Sequence, residues 1–142
     1  MEKKRDRYDI SSIEMKEILI NSKNIAVVGL SPKLERPSYI VASFLQLKGY
    51  RIIPVRPPGP DILGEKAYPN ILEVPCDIDI VDIFRKPEAV LGIVYEAIEK
   101  KAKVIWMQEG VINEQAAEIA HKEGLKVIMD RCIKKEHQKI FG

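Results

Sequence analysis

Ile25-Ala26-Val27-Val28-Gly29-Leu30-Ser31-Pro32-Lys33-Leu34-Glu35-Arg36-Pro37 is the stretch on which the fold turns. Its four opening apolar residues are too few for a helix and lack polar alternation, the pattern of a strand covered on both faces, as in parallel sheets. Gly29 ends the strand. A polar loop then runs to Pro37, a residue favoured in a first helical turn, where its missing N–H has no partner to lose. The helix that follows carries Val41, Phe44 and Leu45 inward and stops at Gly49.

Working outward, the same alternation continues. Strands are predicted at Arg51-Ile52-Ile53-Pro54-Val55, Ile78-Asp79-Ile80-Val81-Asp82-Ile83, Lys103-Val104-Ile105-Trp106-Met107 and Leu125-Lys126-Val127-Ile128-Met129. One helix opens at Pro87 and runs through Val90, Val94 and Ile98; another is capped by Asn113 and closed by Gly124. Ahead of the first strand, Ser11 and Glu14 form a capping box for an N-terminal helix over 11–22, with Ile13, Met15, Ile18 and Leu19 as its apolar positions. Residues 1–9 are charged and expected to be flexible. The sum is one α/β domain over 1–142: a Rossmann-like, five-stranded parallel sheet with helices on both faces, plus the N-terminal helix. The exception to the alternation is Pro57 to Pro75, whose five prolines leave room only for a short helix around Asn70-Ile71-Leu72-Glu73. A loop of this length is expected to border the site.

Composition narrows the function. Of 142 residues 46% are hydrophobic, enough to close a core without disulfides. Lys and Arg number 23 against 21 Asp and Glu, so the net charge of +2 supplies no field suited to nucleic acid or a membrane surface. No apolar run approaches the ~20 residues of a membrane span. Two separated cysteines, Cys76 and Cys132, and no signal-like stretch after Met1 make a cytoplasmic location the expectation. The two cysteines and two histidines match no metal-site spacing, so no metal is expected. His121 sits near a helix end and His137 in the charged tail Lys134-Lys135-Glu136-His137; both read as exposed residues without the partners nucleophilic catalysis requires. No catalytic residue is assigned.

In a parallel sheet, ligands bind beyond the carboxyl ends of the strands. Gly29 permits a sharp turn there, Ser31 offers a hydroxyl and a backbone N–H, and the helix opening at Pro37 presents free N–H groups to a phosphate. A serine stands where the dinucleotide fingerprint has its second glycine, and a glycine between strand and helix is also ordinary packing. Arg56, after the second strand, replaces the acid that would bond the ribose hydroxyls of NAD; its guanidinium suits a phosphorylated ribose, as in CoA or NADP. A solvated arginine is the plainer alternative. Lys33 and Arg36 add charge for a pyrophosphate, or are solvated loop residues; Arg85 reaches the same cleft from the third strand, and Phe84 lines it or belongs to the core.

Together these segments resemble the CoA-binding domain family, which is similar to the nucleotide-binding domain of the succinyl-CoA synthetase α subunit. The likeness runs from about Lys23 to about His137 through Gly29-Leu30-Ser31-Pro32, Arg36-Pro37-Ser38-Tyr39, Ile53-Pro54-Val55, Leu63-Gly64, Val81-Asp82-Ile83-Phe84-Arg85, Trp106-Met107-Gln108-Glu109-Gly110-Val111 and Met129-Asp130-Arg131-Cys132. The resemblance implies CoA lying across the strand ends. Gly29, Ser31 and Arg36 would hold phosphates, Arg56 the ribose phosphate or adenine end, Phe84 and Arg85 the middle of the cleft, and Gln108 and Gly110 the pantetheine side. Arg56 departs from the family, where asparagine beside proline is common. The sequence also lacks counterparts of the synthetase's phosphohistidine and nucleotide-activating domains, so ligase activity of the chain alone is not expected.

The expected function is a non-catalytic protein that binds CoA or an acyl-CoA, alone, as a homo-oligomer or beside a catalytic partner. The alternatives are the CoA-binding subunit of a separately encoded acyl-CoA ligase, and an NADP-dependent oxidoreductase, in which Tyr39 or Tyr95 would serve as general acid. A mixed disulfide between the CoA thiol and Cys76 or Cys132 is a further expectation to test.

Overall fold

The computed structural model describes residues 10–142, so the predicted flexibility of 1–9 lies outside the described residues. In chain order the elements are α1 (Ser12–Asn21), β1 (Asn24–Val28), α2 (Pro37–Leu47), β2 (Arg51–Val55), a 3-10 helix (Ile71–Glu73), β3 (Ile80–Ile83), α3 (Pro87–Lys100), β4 (Val104–Met107), α4 (Glu114–Lys122), β5 (Lys126–Ile128) and α5 (Ile133–Phe141). The strands form one parallel sheet in the order β2-β1-β3-β4-β5, with Val28 of β1 beside both Val55 of β2 and Ile83 of β3. The chain therefore builds outward from β1 to β2 and then returns on the far side of β1. That reversal opens a crevice beyond the ends of β1 and β3.

Side-chain alternation splits the core into two layers. Ala26, Val28, Val81, Ile83, Ile105 and Met107 face the 3-10 helix, α3 and α4, where they meet Ile71, Val90, Val94, Ala116 and Ala120. Ile25, Val27, Ile80, Trp106 and Ile128 face the other way, onto Met15 and Leu19 of α1, Val41 and Leu45 of α2 and Ile133 of α5. Each large apolar side chain taken fully out of water contributes roughly 1.5–3 kcal/mol relative to exposure. With both faces covered, the strands have no use for polar alternation, which explains their unbroken apolar runs.

The predicted cap of α1 is present: the Glu14 N–H donates to Ser11 Oγ at 3.2 Å. The Glu14 carboxylate is engaged by Lys126 Nζ at 2.9 Å. Ile13 corrects the predicted apolar face, because it is 74% exposed while Met15 and Leu19 are buried. It precedes Met15 by two residues, about 200° around the helix, and so faces away from the sheet.

The charged tail is a second correction. Its residues form α5, a nine-residue helix, in which Ile133, Glu136 and His137 are buried. His137, expected to be exposed, is only 7% accessible and packs against Phe44, Tyr50 and Phe141 at ring separations of 5.4, 5.9 and 4.6 Å. Two of its inward positions carry polar side chains, which hides the apolar period in the sequence.

The Pro57–Pro75 segment holds no crossover α-helix. Its 3-10 helix is capped by Asn70, whose Oδ1 accepts from the Glu73 N–H at 3.0 Å. Tyr68 pairs with the outer edge of β2 through Tyr68 N–H to Pro54 O at 3.0 Å and Arg56 N–H to Tyr68 O at 2.8 Å, which protects that edge strand. Among the described residues no helix is long and apolar enough to cross a membrane.

Candidate functional site

The crevice between β1 and β3 is shaped by one glycine. Gly29 has φ of +88°, and a Cβ built there would lie 2.5 Å from the Phe84 carbonyl oxygen and 2.9 Å from Arg85 Cδ. Two strand ends thus approach as backbone, which is the geometry that lets a ligand rest against main chain instead of side chains. Gly29 also donates its N–H to Val55 O at 2.8 Å, tying the three strand ends together.

Around this point the loop is pre-set. Leu30 is buried, and its carbonyl accepts from Arg56 Nη1 at 3.3 Å, while Arg56 Nε donates to Pro57 O at 3.4 Å. Arg56 therefore leans from the end of β2 over the loop that follows β1 and Gly29. The Ser31 N–H, expected to face a phosphate, is donated to Ser38 Oγ at 3.0 Å, and Ser31 Oγ accepts from the Lys33 N–H at 3.1 Å. Ser38 is buried in the first turn of α2 and acts as the internal brace of the loop, a role its sequence position did not reveal.

Arg36 is the N-cap of α2, has no side-chain cap bond, and is followed by Pro37 at the first helical position. The first intrahelical bond is Ile40 N–H to Arg36 O, so the Ser38 and Tyr39 N–H groups carry the positive end of the helix dipole. The first turns of α1, α3, α4 and α5 each contain a glutamate, whereas that of α2 contains no acidic residue. Lys33, Arg36 and Arg85 are exposed at the same rim. Phe84 is half-buried and packs toward α2 and α5.

The residues placed on the pantetheine side divide. Gly110 is exposed with φ of +83°, and its N–H donates to Asp130 Oδ1 at 2.8 Å. Gln108 is 4% exposed and its Oε1 accepts from the Ile133 N–H at 3.1 Å, making it a cap for α5 beneath the rim instead of a surface group. The loop after β4 is locked to the segment after β5 by Arg131 N–H to Met107 O at 3.2 Å, Trp106 Nε1 to Arg131 O at 2.8 Å and Lys135 to Glu109 at 2.8 Å. Asp130 enables this with φ of 61°, a left-handed conformation that aspartate tolerates. Sequence patterning carries no mark of that turn.

Cys132 is buried at the N-cap of α5 and Cys76 is half-buried. Tyr39 lies in the first turn of α2 at the rim, whereas Tyr95 is eight residues into α3, about 12 Å down the helix axis from its rim end. Among the described residues no group of three or more His, Cys, Asp or Glu is placed to hold a metal. Hollows of about 490 and 500 Å³ lie at the amino-terminal ends of the strands, one lined by Lys103, Val104 and Lys126 and the other by Lys23, Gly49 and Tyr50. The first hollow sets its lysines beside Glu14 and Glu17, whereas the rim sets the acid-free first turn of α2 beside Lys33, Arg36 and Arg85.

Known proteins resemble the chain over most of its length. A family profile described as "CoA binding domain" matches residues 23–138. The chain is 46% identical to YneT of Bacillus subtilis over 127 residues, 89% of this chain and 94% of that one. It is 27% identical to the ADP-forming acetate–CoA ligase II of Archaeoglobus fulgidus over 87% of this chain but only 20% of the ligase. A solved protein from Pyrococcus horikoshii superposes over 100% of both chains with a TM-score of 0.93 and 39% identity. By this match across most of its length, the chain belongs to the CoA-binding domain family.

Proposed function

We propose that this protein binds CoA or an acyl-CoA across the ends of β1, β2 and β3, as a binding or regulatory protein without catalysis of its own. The observation that carries the reading is the backbone contact at Gly29, with Arg56 drawn over the same loop by Leu30 O. The cleft offers main-chain close approach in its centre and a guanidinium at the β2 side, where a 3′-phosphorylated ribose would lie. Lys33 and Arg36 would meet the pyrophosphate together with the open N-terminus of α2. Gly110 would border the pantetheine side.

A second reading follows from the ligase relatives: the domain would supply CoA binding to a separately encoded catalytic partner, since the chain spans about a fifth of the Archaeoglobus ligase. An NADP-dependent oxidoreductase finds less support, because Tyr95 is removed from the rim and leaves only Tyr39 as an acid there. Calorimetric titration separates the CoA readings from the NADP one. Binding of CoA with much weaker binding of dephospho-CoA and NADP supports the main reading; preference for NADP overturns it. Co-purification with a ligase subunit would favour the second.

A further inference from the structure

Asp82 is the anomaly of the sheet. It is fully buried in β3, between Val27 of β1 and Trp106 of β4 in register, and neither carboxyl oxygen has a hydrogen-bond partner. Burial raises its pKa well above the usual carboxylate range. A buried polar group without a partner is unfavourable, and the chain alone leaves this residue unsatisfied.

Its position gives the orphan a meaning. Val27 and Trp106 belong to the layer beneath α2 and α5, so Asp82 faces that layer. Phe84, two residues on, packs toward the same layer and is half-buried, so it is the first side chain between Asp82 and the rim. Along the strand that separation is about 7 Å. A protonated carboxyl presents one O–H donor and one carbonyl acceptor. A secondary amide presents the matching acceptor and donor, and the pantetheine arm of CoA contains two such amides on a long flexible chain.

We propose that Asp82 is a specificity residue of the CoA site, receiving an amide of the pantetheine arm when Phe84 swings aside. This rests on the CoA reading and sharpens it, because the group recognised is the arm and not the nucleotide. It accounts for a polar group deep in the sheet directly below the strand end whose backbone meets Gly29.

The test compares CoA with adenosine 3′,5′-bisphosphate, which keeps the phosphorylated nucleoside and lacks the arm, on wild type, Asp82→Asn and Asp82→Val. The amide of Asp82→Asn retains a donor and an acceptor, and CoA affinity is expected within about threefold of wild type; Asp82→Val is expected to lose about tenfold. Affinity for the bisphosphate is expected to be unchanged in all three. Infrared difference spectra of wild type supply a readout that needs no variant: the carbonyl stretch of the protonated carboxyl shifts on adding CoA and not on adding the bisphosphate. Equal CoA binding by wild type and Asp82→Val, or an unmoved infrared band, overturns the proposal and leaves the CoA reading standing. Failure of wild type to bind either ligand overturns both.

Discussion

The two layers of the core are built from different chemistry. Toward α3 and α4 the sheet meets a purely apolar cluster, whereas the buried polar residues among those described, Ser38, Asp82, Gln108, Glu136 and His137, belong to the side of α2 and α5. An apolar layer needs only volume and shape, and it stabilises without constraining function. The layer toward α2 and α5 is apolar too, but it also carries polar groups that each require a partner, among them Ser38 of the Ser31 loop, Gln108 at the cap of α5 and the unsatisfied Asp82. The difference teaches that both faces of the sheet hold the fold, while the one that carries polar groups also shapes the rim.

That contrast can be broken by substitution. Ile105→Ala, in the apolar layer, is expected to cost about 2–5 kcal/mol in denaturant unfolding while leaving CoA affinity in the surviving folded protein unchanged. A large loss of affinity would mean that the layers are coupled. Gly29→Ala is expected to cost about 2 kcal/mol or more through its positive φ and the contact with Phe84 O, and to abolish CoA binding; a thermal scan with and without CoA reads both effects. Gln108→Leu strands the Ile133 N–H and is expected to cost about 1–3 kcal/mol, whereas Gln108→Glu keeps an acceptor and costs less; hydrogen exchange at the start of α5 locates the damage.

The smallest effect is pH-dependent. Burial, with a lesser contribution from Lys48, lowers the His137 pKa below its ordinary 6.5. A depressed pKa means that the unfolded chain binds the proton more readily, so the stability His137 contributes is present above the unfolded value and is lost as pH falls through the folded one. Unfolding midpoints followed below pH 6.5 are expected to decline more steeply in wild type than in His137→Phe, by a fraction of the about 1.4 kcal/mol per pH unit that one proton carries. Identical slopes would show that His137 takes up its proton without leaving its aromatic surroundings.

The sequence was legible wherever local chemistry is decisive. Apolar runs too short for helices, ended by Gly29 and followed by Pro37, determined strand, turn and helix, because backbone preference and burial agree there. Arg56 and Gly29 were recognisable as rim residues for the same reason: in a parallel sheet the end of each strand is known once the strand is. The α5 helix was not legible, since Glu136 and His137 take inward positions made tolerable by Arg131 and Lys139 for the one and by Phe44 and Tyr50 for the other.

What the tertiary structure decided is partnership. The sequence places Gln108 at a strand end, yet its side-chain oxygen serves the Ile133 N–H 25 positions away; it gives Ser38 no visible role, yet that hydroxyl takes the Ser31 N–H. It shows Asp82 as one polar residue in a strand and cannot show that both of its oxygens are unmatched. Local propensity acts between residues a few positions apart, whereas hydrogen-bond satisfaction inside a core depends on which distant segments the strand order brings together.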